Sequence, residues 1–78
     1  MSGDLEPFPA DEFEYKVVAE RLAERIRRGE FAANGRLPSE PRLCEHYGVG
    51  LGVVRHARQE LVQRGLIYVR QGWGTFIA

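Results

Sequence analysis

The chain has 78 residues, of which 44% are hydrophobic and 28% are charged, and its formal net charge is zero. This length allows one domain with a modest core, and the composition is that of a globular protein rather than a disordered one. No apolar run approaches the roughly 18 residues that span a bilayer, and no secretory leader is recognisable. A single cysteine, Cys44, excludes an internal disulfide and fits a reducing compartment, so we expect a cytoplasmic protein.

The charges are distributed unevenly along the chain. Residues 1–40 hold nine acids and six bases, a net charge of −3, whereas residues 41–78 hold two acids and five arginines, a net charge of +3. Ten of the eleven bases are arginine, which suits bidentate contacts with phosphate and guanine. The basic second half indicates either a nucleic-acid surface or solvated surface charge, and composition alone does not separate the two.

Two segments open the chain. Residues 1–11 are acidic, contain two prolines and lack an apolar period, so we expect a flexible N-terminal arm. A helix is predicted over residues 12–28, with Gly29 ending it. Its apolar residues recur at spacings of three and four, with neighbours that widen the stripe. They are Tyr15, Val17, Val18, Ala19, Leu22, Ala23 and Ile26.

A connector and a short helix follow. Asn34 and Gly35 form a turn signal because both tolerate positive φ, and Phe31 is expected to enter the core. Ser39 is the predicted N-cap of a second helix that ends near Tyr47. The side chains that this helix is predicted to bury are Leu43, Cys44 and Tyr47.

The last part of the chain predicts a helix and a hairpin. The third helix is expected over residues 51–64, with Gly50 as its N-cap and Gly65 after its end. Two short strands are predicted over residues 66–69 and 73–77. The third helix is predicted to bury Val54, Ala57 and Leu61, and the hairpin turn is predicted at Arg70, Gln71 and Gly72.

The order of these elements indicates both fold and function. Two helices joined by a tight glycine turn and followed by a hairpin are the layout of a winged helix-turn-helix. We therefore predict a mainly helical α+β fold over residues 12–78. In this layout the third helix typically enters the major groove of double-stranded DNA, and the hairpin, or wing, lies beside it.

The exposed face at the start of the third helix supplies candidates for base contacts. A helical wheel places Leu51, Gly52, Arg55 and Gln59 there. Arg55 has the geometry to bind guanine O6 and N7, and Gln59 that to bind adenine N6 and N7. The alternative for Arg55 is contact with phosphate or water alone.

The start of the second helix is a candidate phosphate site. Free N–H groups and the helix dipole favour an anion there, and Ser39 serves as cap, as phosphate ligand or as both. Arg36 lies just before this start and Arg42 just inside it, so either can join the same phosphate.

The wing supplies the remaining candidates, because its glycines allow a close approach of the backbone to a minor groove. Trp73 is either exposed, against a sugar or a partner protein, or folded back onto the core. The candidate DNA-binding residues of the wing are Arg70, Gln71, Gly72 and Thr75.

Position by position, the chain from about Tyr15 onward resembles the DNA-binding domain of the GntR family of bacterial transcription regulators. The family pattern has a Leu-Pro-Ser-Glu-Arg stretch, a Val-Ser-Arg-x-Thr-Val-Arg stretch and a Gly-x-Gly-Thr-Phe-Val wing. The matching residues are Leu37, Pro38, Ser39, Glu40, Val49, Val54, Arg55, Ala57, Gly72, Gly74, Thr75 and Phe76, with Ile77 in place of valine. The resemblance implies DNA contacts by Arg55 and by the wing-tip residues Gln71 and Gly72.

Several positions depart from the family pattern. Pro41 replaces the arginine of the second helix, Gly50 and Leu51 replace the Ser-Arg pair, and Val53 replaces threonine. Leu51 cannot read a guanine, although it could touch a thymine methyl group. Arg58 stands where the family commonly has an apolar residue, so its stem is expected to lie along the core while its head reaches a phosphate. The fold assignment survives these changes, but the family's usual sequence preference does not.

No residue pattern indicates an enzyme or a metal site, and no cofactor is expected. Cys44 and His46 are two residues apart, which points them to different faces of a helix. The two histidines, His46 and His56, lack the companions that zinc requires.

Two function classes remain. The first is the DNA-reading module of a transcription regulator, expected to be a repressor that acts as a homodimer on a pseudo-palindromic operator. The second is a winged-helix surface for protein interaction, with Leu51, Val53 and Trp73 as exposed apolar contacts. The GntR resemblance implies a C-terminal domain that binds a small-molecule effector and dimerises. The chain stops directly after the second wing strand, so it is either the N-terminal piece of a longer protein or a stand-alone domain, and we expect the former.

Overall fold

The fold is described by a computed structural model that covers residues 10–78, with side chains from Glu14 onward. Three helices are followed by a two-stranded antiparallel hairpin. The elements are α1 (Ala10–Arg27), α2 (Glu40–Tyr47), α3 (Leu51–Gln63), β1 (Ile67–Arg70) and β2 (Gly74–Ile77). This order confirms the predicted winged helix-turn-helix.

Helix α1 begins at Ala10, two residues before the predicted start. Residues 10 and 11, which the sequence assigned to the arm, are therefore helical. The reason lies in the sequence, because Pro9 is the last proline before the helix and nothing after it opposes a helical backbone. The rest of the expected arm, residues 1–9, lies outside the described residues.

The turn between α2 and α3 is fixed by backbone hydrogen bonds. Gly48 has a φ of +66°, and its N–H group donates to the carbonyl of Cys44. The N–H group of Val49 donates to the same carbonyl at 3.1 Å. At the other end of α2, the Ser39 hydroxyl accepts from the N–H group of Arg42 at 3.4 Å, which confirms the predicted N-cap.

The core lies where α1 crosses α3, with α2 and the hairpin closing its sides. Leu22, Val54 and Leu61 are the largest fully buried side chains, and burying each contributes roughly 1.5–3 kcal/mol. The other buried apolar residues are Val18, Ala19, Ala23, Leu37, Leu43, Val53, Ala57, Ile67 and Ile77.

Two valines differ from their predicted positions. Val17, which was expected to widen the buried stripe of α1, is exposed. Val17 directly precedes the buried Val18, and successive side chains of a helix point in different directions. The buried stripe of α1 is therefore narrower than predicted. Val53, named as an exposed contact in the protein-interaction hypothesis, is only 5% exposed. It is four residues before Ala57 and so shares the buried face of α3.

The wing strands begin one residue later than predicted. Ile67 pairs with Ile77 and Arg70 pairs with Gly74, which leaves three residues in the turn. Trp73, predicted to open the second strand, is the last residue of this turn, and its N–H group donates to the Arg70 carbonyl at 2.9 Å. The turn therefore consists of Gln71, Gly72 and Trp73, one residue later than the predicted Arg70, Gln71 and Gly72, and Arg70 is the last residue of β1.

The connector between α1 and α2 pairs with the wing, which the sequence did not indicate. The N–H group of Asn34 donates to the Ile77 carbonyl at 3.0 Å, and that of Leu37 donates to the Thr75 carbonyl at 2.8 Å. Arg36 forms an isolated antiparallel bridge with Phe76. These bonds hold the start of α2 beside the base of the wing. Within residues 10–78, no helix has the length and hydropathy that a membrane crossing requires.

Candidate nucleic-acid interface

The residues predicted to contact DNA lie on three neighbouring elements: the start of α2, the first half of α3 and the wing. The exposed ones are Arg36, Ser39, Arg42, Leu51, Gly52, Arg55, Gln59, Arg70, Gln71 and Gly72. Thr75 is the exception, because its side chain faces the interior and only 8% of the residue is exposed. The residue instead lines a cavity between the start of α2 and the base of the wing.

Two concave regions join these elements into one surface. A cavity of about 340 Å³ separates the start of α2 from the base of the wing, and its lining includes Ser39, Glu40, Arg58, Gly74 and Thr75. A shallower groove lies between α3 and β1, with Arg58, Gln59, Val62 and Val69 in its lining. Arg58 borders both. The cavity and the groove therefore adjoin at Arg58, which connects the start of α2, the middle of α3 and the base of the wing.

The exposed side of α3 has an apolar beginning and a polar middle. Leu51 and Gly52, at the start of the helix, are exposed, and Gly50 caps it without any side-chain hydrogen bond. Arg55 and Gln59 follow on the same face, one turn apart, and both are exposed. This face of α3 therefore presents a leucine at the start of the helix. It presents two groups that can form hydrogen bonds with bases, one and two turns further on.

The Glu40 carboxylate lies between α2 and α3. Its Oε1 accepts from the Nε of Arg55 at 3.3 Å, and its Oε2 is 2.7 Å from the Nη1 of Arg58. Glu40 is in the first turn of α2, where a negative charge is favoured by the helix dipole but repels a phosphate. Because of Glu40, the start of α2 is not a purely cationic site. The positive charges of Arg55 and Arg58 offset its repulsion of a phosphate.

The wing carries an exposed aromatic residue. Trp73 is 66% exposed, which decides between the two predicted alternatives: the indole does not fold back onto the core. Arg70 and Gln71 lie beside it in the wing and are exposed. The wing tip therefore presents a cation, an amide and an indole together, a combination able to contact phosphate, base edges and sugar.

Arg36 lies closer to the wing than the sequence suggested. It borders the same cavity as Ser39, but its guanidinium donates to the main-chain carbonyl of Trp73 and lies over the Phe76 ring, 5.9 Å from the centroid. It was expected to join a phosphate at the start of α2. In the structure its guanidinium is held at the turn of the wing.

Arginines elsewhere are engaged with carboxylates away from this face. Arg64 donates to Glu20 and Glu60, and its hydrogen bond lowers the pKa of Glu20 below its ordinary value. At the end of α1, hydrogen bonds from Arg25 and from Arg28 lower the pKa of Glu30. These networks tie α1 to α3 and to the connector.

Sequence reasoning missed two contributors to the site. From the sequence, Glu40 was named only as part of the family pattern, and its ion pairs were not predicted. The opposite charges of Arg55 and Arg58 on the next helix could have indicated them. The connection of Arg36 to Trp73 left no local signal, since the residues are 37 positions apart. Within the described part of the chain, no three His, Cys, Asp or Glu residues come together as metal ligands would.

Comparison with known proteins agrees with this geometry. Residues 14–77 match the family described as bacterial regulatory proteins, gntR family. The HTH-type transcriptional repressor NagR of Bacillus subtilis is 38% identical over 64 residues, which cover 82% of this chain and 26% of that repressor. The HTH-type transcriptional repressor NanR of Klebsiella aerogenes is 42% identical over 57 residues, which cover 73% of this chain and 22% of NanR. The chain thus spans about a quarter of the length of these relatives.

Solved structures of DNA-binding domains are similar to this fold. The AraR DNA-binding domain in complex with operator ORR3 superimposes with a TM-score of 0.78 at 36% identity, covering 82% of this chain and 77% of that one. The relatives are transcription regulators, not enzymes. Together with the burial of Val53, they support the DNA-binding hypothesis over the protein-interaction hypothesis. The chain belongs to the gntR family of bacterial regulatory proteins, and residues 14–77 form its winged-helix DNA-binding domain.

Proposed function

We propose that this chain is the operator-reading module of a bacterial transcriptional repressor. Helix α3 enters the major groove of double-stranded DNA, and the wing reaches the adjacent minor groove. The observation that carries the proposal is that ten of the eleven predicted contact residues are exposed on α3, on the wing and at or just before the start of α2. Two concave regions that adjoin at Arg58 connect these elements.

The roles on this face follow from chemistry. Arg55, whose side chain is 60% exposed, binds the O6 and N7 atoms of a guanine, and Gln59 binds an adenine one helical turn further on. Leu51 contacts a thymine methyl group. Arg42 and Arg70, both exposed, bind phosphates on either side of α3 and set the register of the domain.

Three further proposals concern the whole protein: its oligomeric state, its control by an effector and its location in the cell. One domain of this size makes few base contacts, so we infer that the protein acts as a homodimer on a pseudo-palindromic operator. A further domain that binds a small-molecule effector then controls the dimer. Because its target is chromosomal DNA, the protein works in the bacterial cytoplasm.

The proposal is tested by titrating the 78-residue chain into a pool of random-sequence duplexes over a series of salt concentrations, with sequencing of the retained duplexes. We expect the logarithm of the affinity to fall linearly with the logarithm of salt concentration, as expected when arginines displace counterions from phosphates. We also expect an enriched motif that Arg55→Ala abolishes. Arg21→Ala is the matched control, because Arg21 is exposed on α1 away from the proposed face and should leave the motif intact.

Three outcomes are distinct. Salt-sensitive binding with an Arg55-dependent motif supports the proposal. Salt-sensitive binding without a motif removes the base-reading role and leaves a domain that binds phosphates. No binding at low salt contradicts the proposal and redirects the search to protein partners at Leu51 and Trp73.

A further inference from the structure

Two arginines of α3 share the Glu40 carboxylate between α2 and α3. The Glu40 side chain is 18% exposed, so its charge is partly desolvated and requires compensation. Arg58 is the nearer partner, at 2.7 Å from Oε2, and Arg55 is the more distant, at 3.3 Å from Oε1. The Arg58 side chain is 32% exposed and that of Arg55 is 60% exposed. Arg58 is therefore the nearer counter-ion of Glu40. The contact is an ion pair without hydrogen-bond geometry, because the buried Oε2 accepts no hydrogen bond within the described residues.

This sharing leaves most of the Arg55 guanidinium unoccupied. Only the Nε of Arg55 donates to Glu40, and within the described residues its two Nη groups have no partner. Two N–H donors side by side are what guanine O6 and N7 accept. A carboxylate whose two oxygens are both vacant binds an arginine with two parallel bonds instead. Without Arg58, Glu40 would be such a carboxylate.

We propose that Arg58 is a positioning residue for DNA reading. Its guanidinium lies 2.7 Å from Oε2 of Glu40, where its positive charge and its bulk oppose a bidentate pair of this carboxylate with Arg55. The Nη groups of Arg55 thereby stay free for a base. The inference rests on the base-reading role of Arg55 proposed above. It applies to this chain in particular, because Arg58 replaces the apolar residue that the family pattern commonly has.

The main competing role for Arg58 is direct contact with a phosphate, since it borders both concave regions of the face. The two roles predict different behaviour. A phosphate contact strengthens binding to all sequences about equally and adds about one to the salt slope. A positioning role instead changes the preference for the base that Arg55 reads, and its loss is reversed when the Glu40 charge is removed.

The experiment uses the duplex that the random pool enriches and a second duplex in which the guanine read by Arg55 is replaced by adenine. Affinities for both are measured by fluorescence anisotropy with wild type, Arg58→Met, Glu40→Gln and the double variant. We expect Arg58→Met to reduce the preference for the guanine duplex about tenfold, within the range that one bidentate pair supplies. We expect the double variant to recover most of it, and Arg58→Lys to retain it.

Controls separate the possible outcomes. Arg21→Met removes the same charge from α1 and should leave the preference unchanged. Thermal unfolding identifies variants that fail to fold, and Arg58→Gln, which keeps a polar head without charge, replaces Arg58→Met if needed. A uniform loss of affinity with no recovery in the double variant overturns the positioning role while leaving the proposed function intact. If wild type shows no Arg55-dependent motif, the proposed function fails first and this inference fails with it.

Discussion

Arg36 holds the turn of the wing through the main-chain carbonyl of Trp73. Its guanidinium also lies over the ring of Phe76, and the positive φ of Gly74 brings the backbone next to it. A β-carbon at position 74 would be 3.1 Å from the Arg36 Nε. A residue of the connector therefore sets the shape of a turn that is 37 positions further along the chain.

Replacing Arg36 with methionine should loosen the wing without unfolding the domain. The variant loses one hydrogen bond with a charged donor on an exposed site, which costs about 1 kcal/mol. Hydrogen exchange of the Trp73 amide should become faster, while exchange in α1 should change little. Arg42→Met, which changes an exposed arginine on α2, is the control. Unchanged exchange in the wing would show that the hydrogen bond from Arg36 adds nothing to its order.

Gly74→Ala should strain the backbone of the wing at the residue that follows the turn. The φ of +127° at this position is unfavourable for any residue with a β-carbon, and the added methyl group approaches the Arg36 guanidinium. We expect a loss of about 1–3 kcal/mol in the free energy of unfolding, measured by urea titration. Gly52→Ala is the matched control, because a β-carbon there meets no atom within 4 Å and the residue is in a helix. Equal stability of the two variants would contradict the proposed strain.

The features that the sequence predicted well are those with local physical causes. Ser39 caps α2 because its hydroxyl is next to the free N–H groups, and Gly48 ends it because the turn needs positive φ. The features that it missed depend on contacts between distant segments. The bond from Arg36 to Trp73 is one such contact. The sharing of Glu40 is another, since it depends on how closely α2 approaches α3.

Leu61→Ala should destabilise the domain severely. Leu61 is fully buried under α1, and truncating such a leucine leaves a cavity and costs about 2–5 kcal/mol. For a domain of this size we expect a free energy of unfolding near the low end of the usual range, roughly 5 kcal/mol. A large fraction of the variant should therefore be unfolded at 37 °C. Circular dichroism melting measures this. The neighbouring Val62→Ala should change the free energy of unfolding by less than about 0.5 kcal/mol, because Val62 is exposed.

Glu30 should make stability depend on pH on the acidic side. Hydrogen bonds from Arg25 and then from Arg28 lower its pKa in the folded state below the ordinary value of 4.5. The unfolded state therefore binds protons first as pH falls, so this stabilisation is complete above 4.5 and is lost as pH falls through the lower, folded pKa. Glu30→Gln should flatten the acidic limb of a melting-temperature profile. Glu45→Gln, an exposed acid outside every ion pair of the described residues, should leave the limb as it is.

Trp73 should report DNA binding directly, because it is the only tryptophan in the chain and 66% of it is exposed at the wing tip. If the wing enters a minor groove, the indole becomes buried against sugar edges, and its fluorescence should shift to shorter wavelength on titration with the enriched duplex. Trp73→Ala should weaken binding about fivefold to tenfold, which corresponds to the lower end of the roughly 1–3 kcal/mol of an aromatic contact with a nucleotide. Its melting temperature should stay close to that of wild type, because the indole contributes little to the core. Val69→Ala removes an exposed apolar side chain from β1 and tests whether the loss is specific to the indole. An unshifted spectrum at saturating DNA would place the wing tip outside the interface and leave α3 as the part of the domain that contacts DNA.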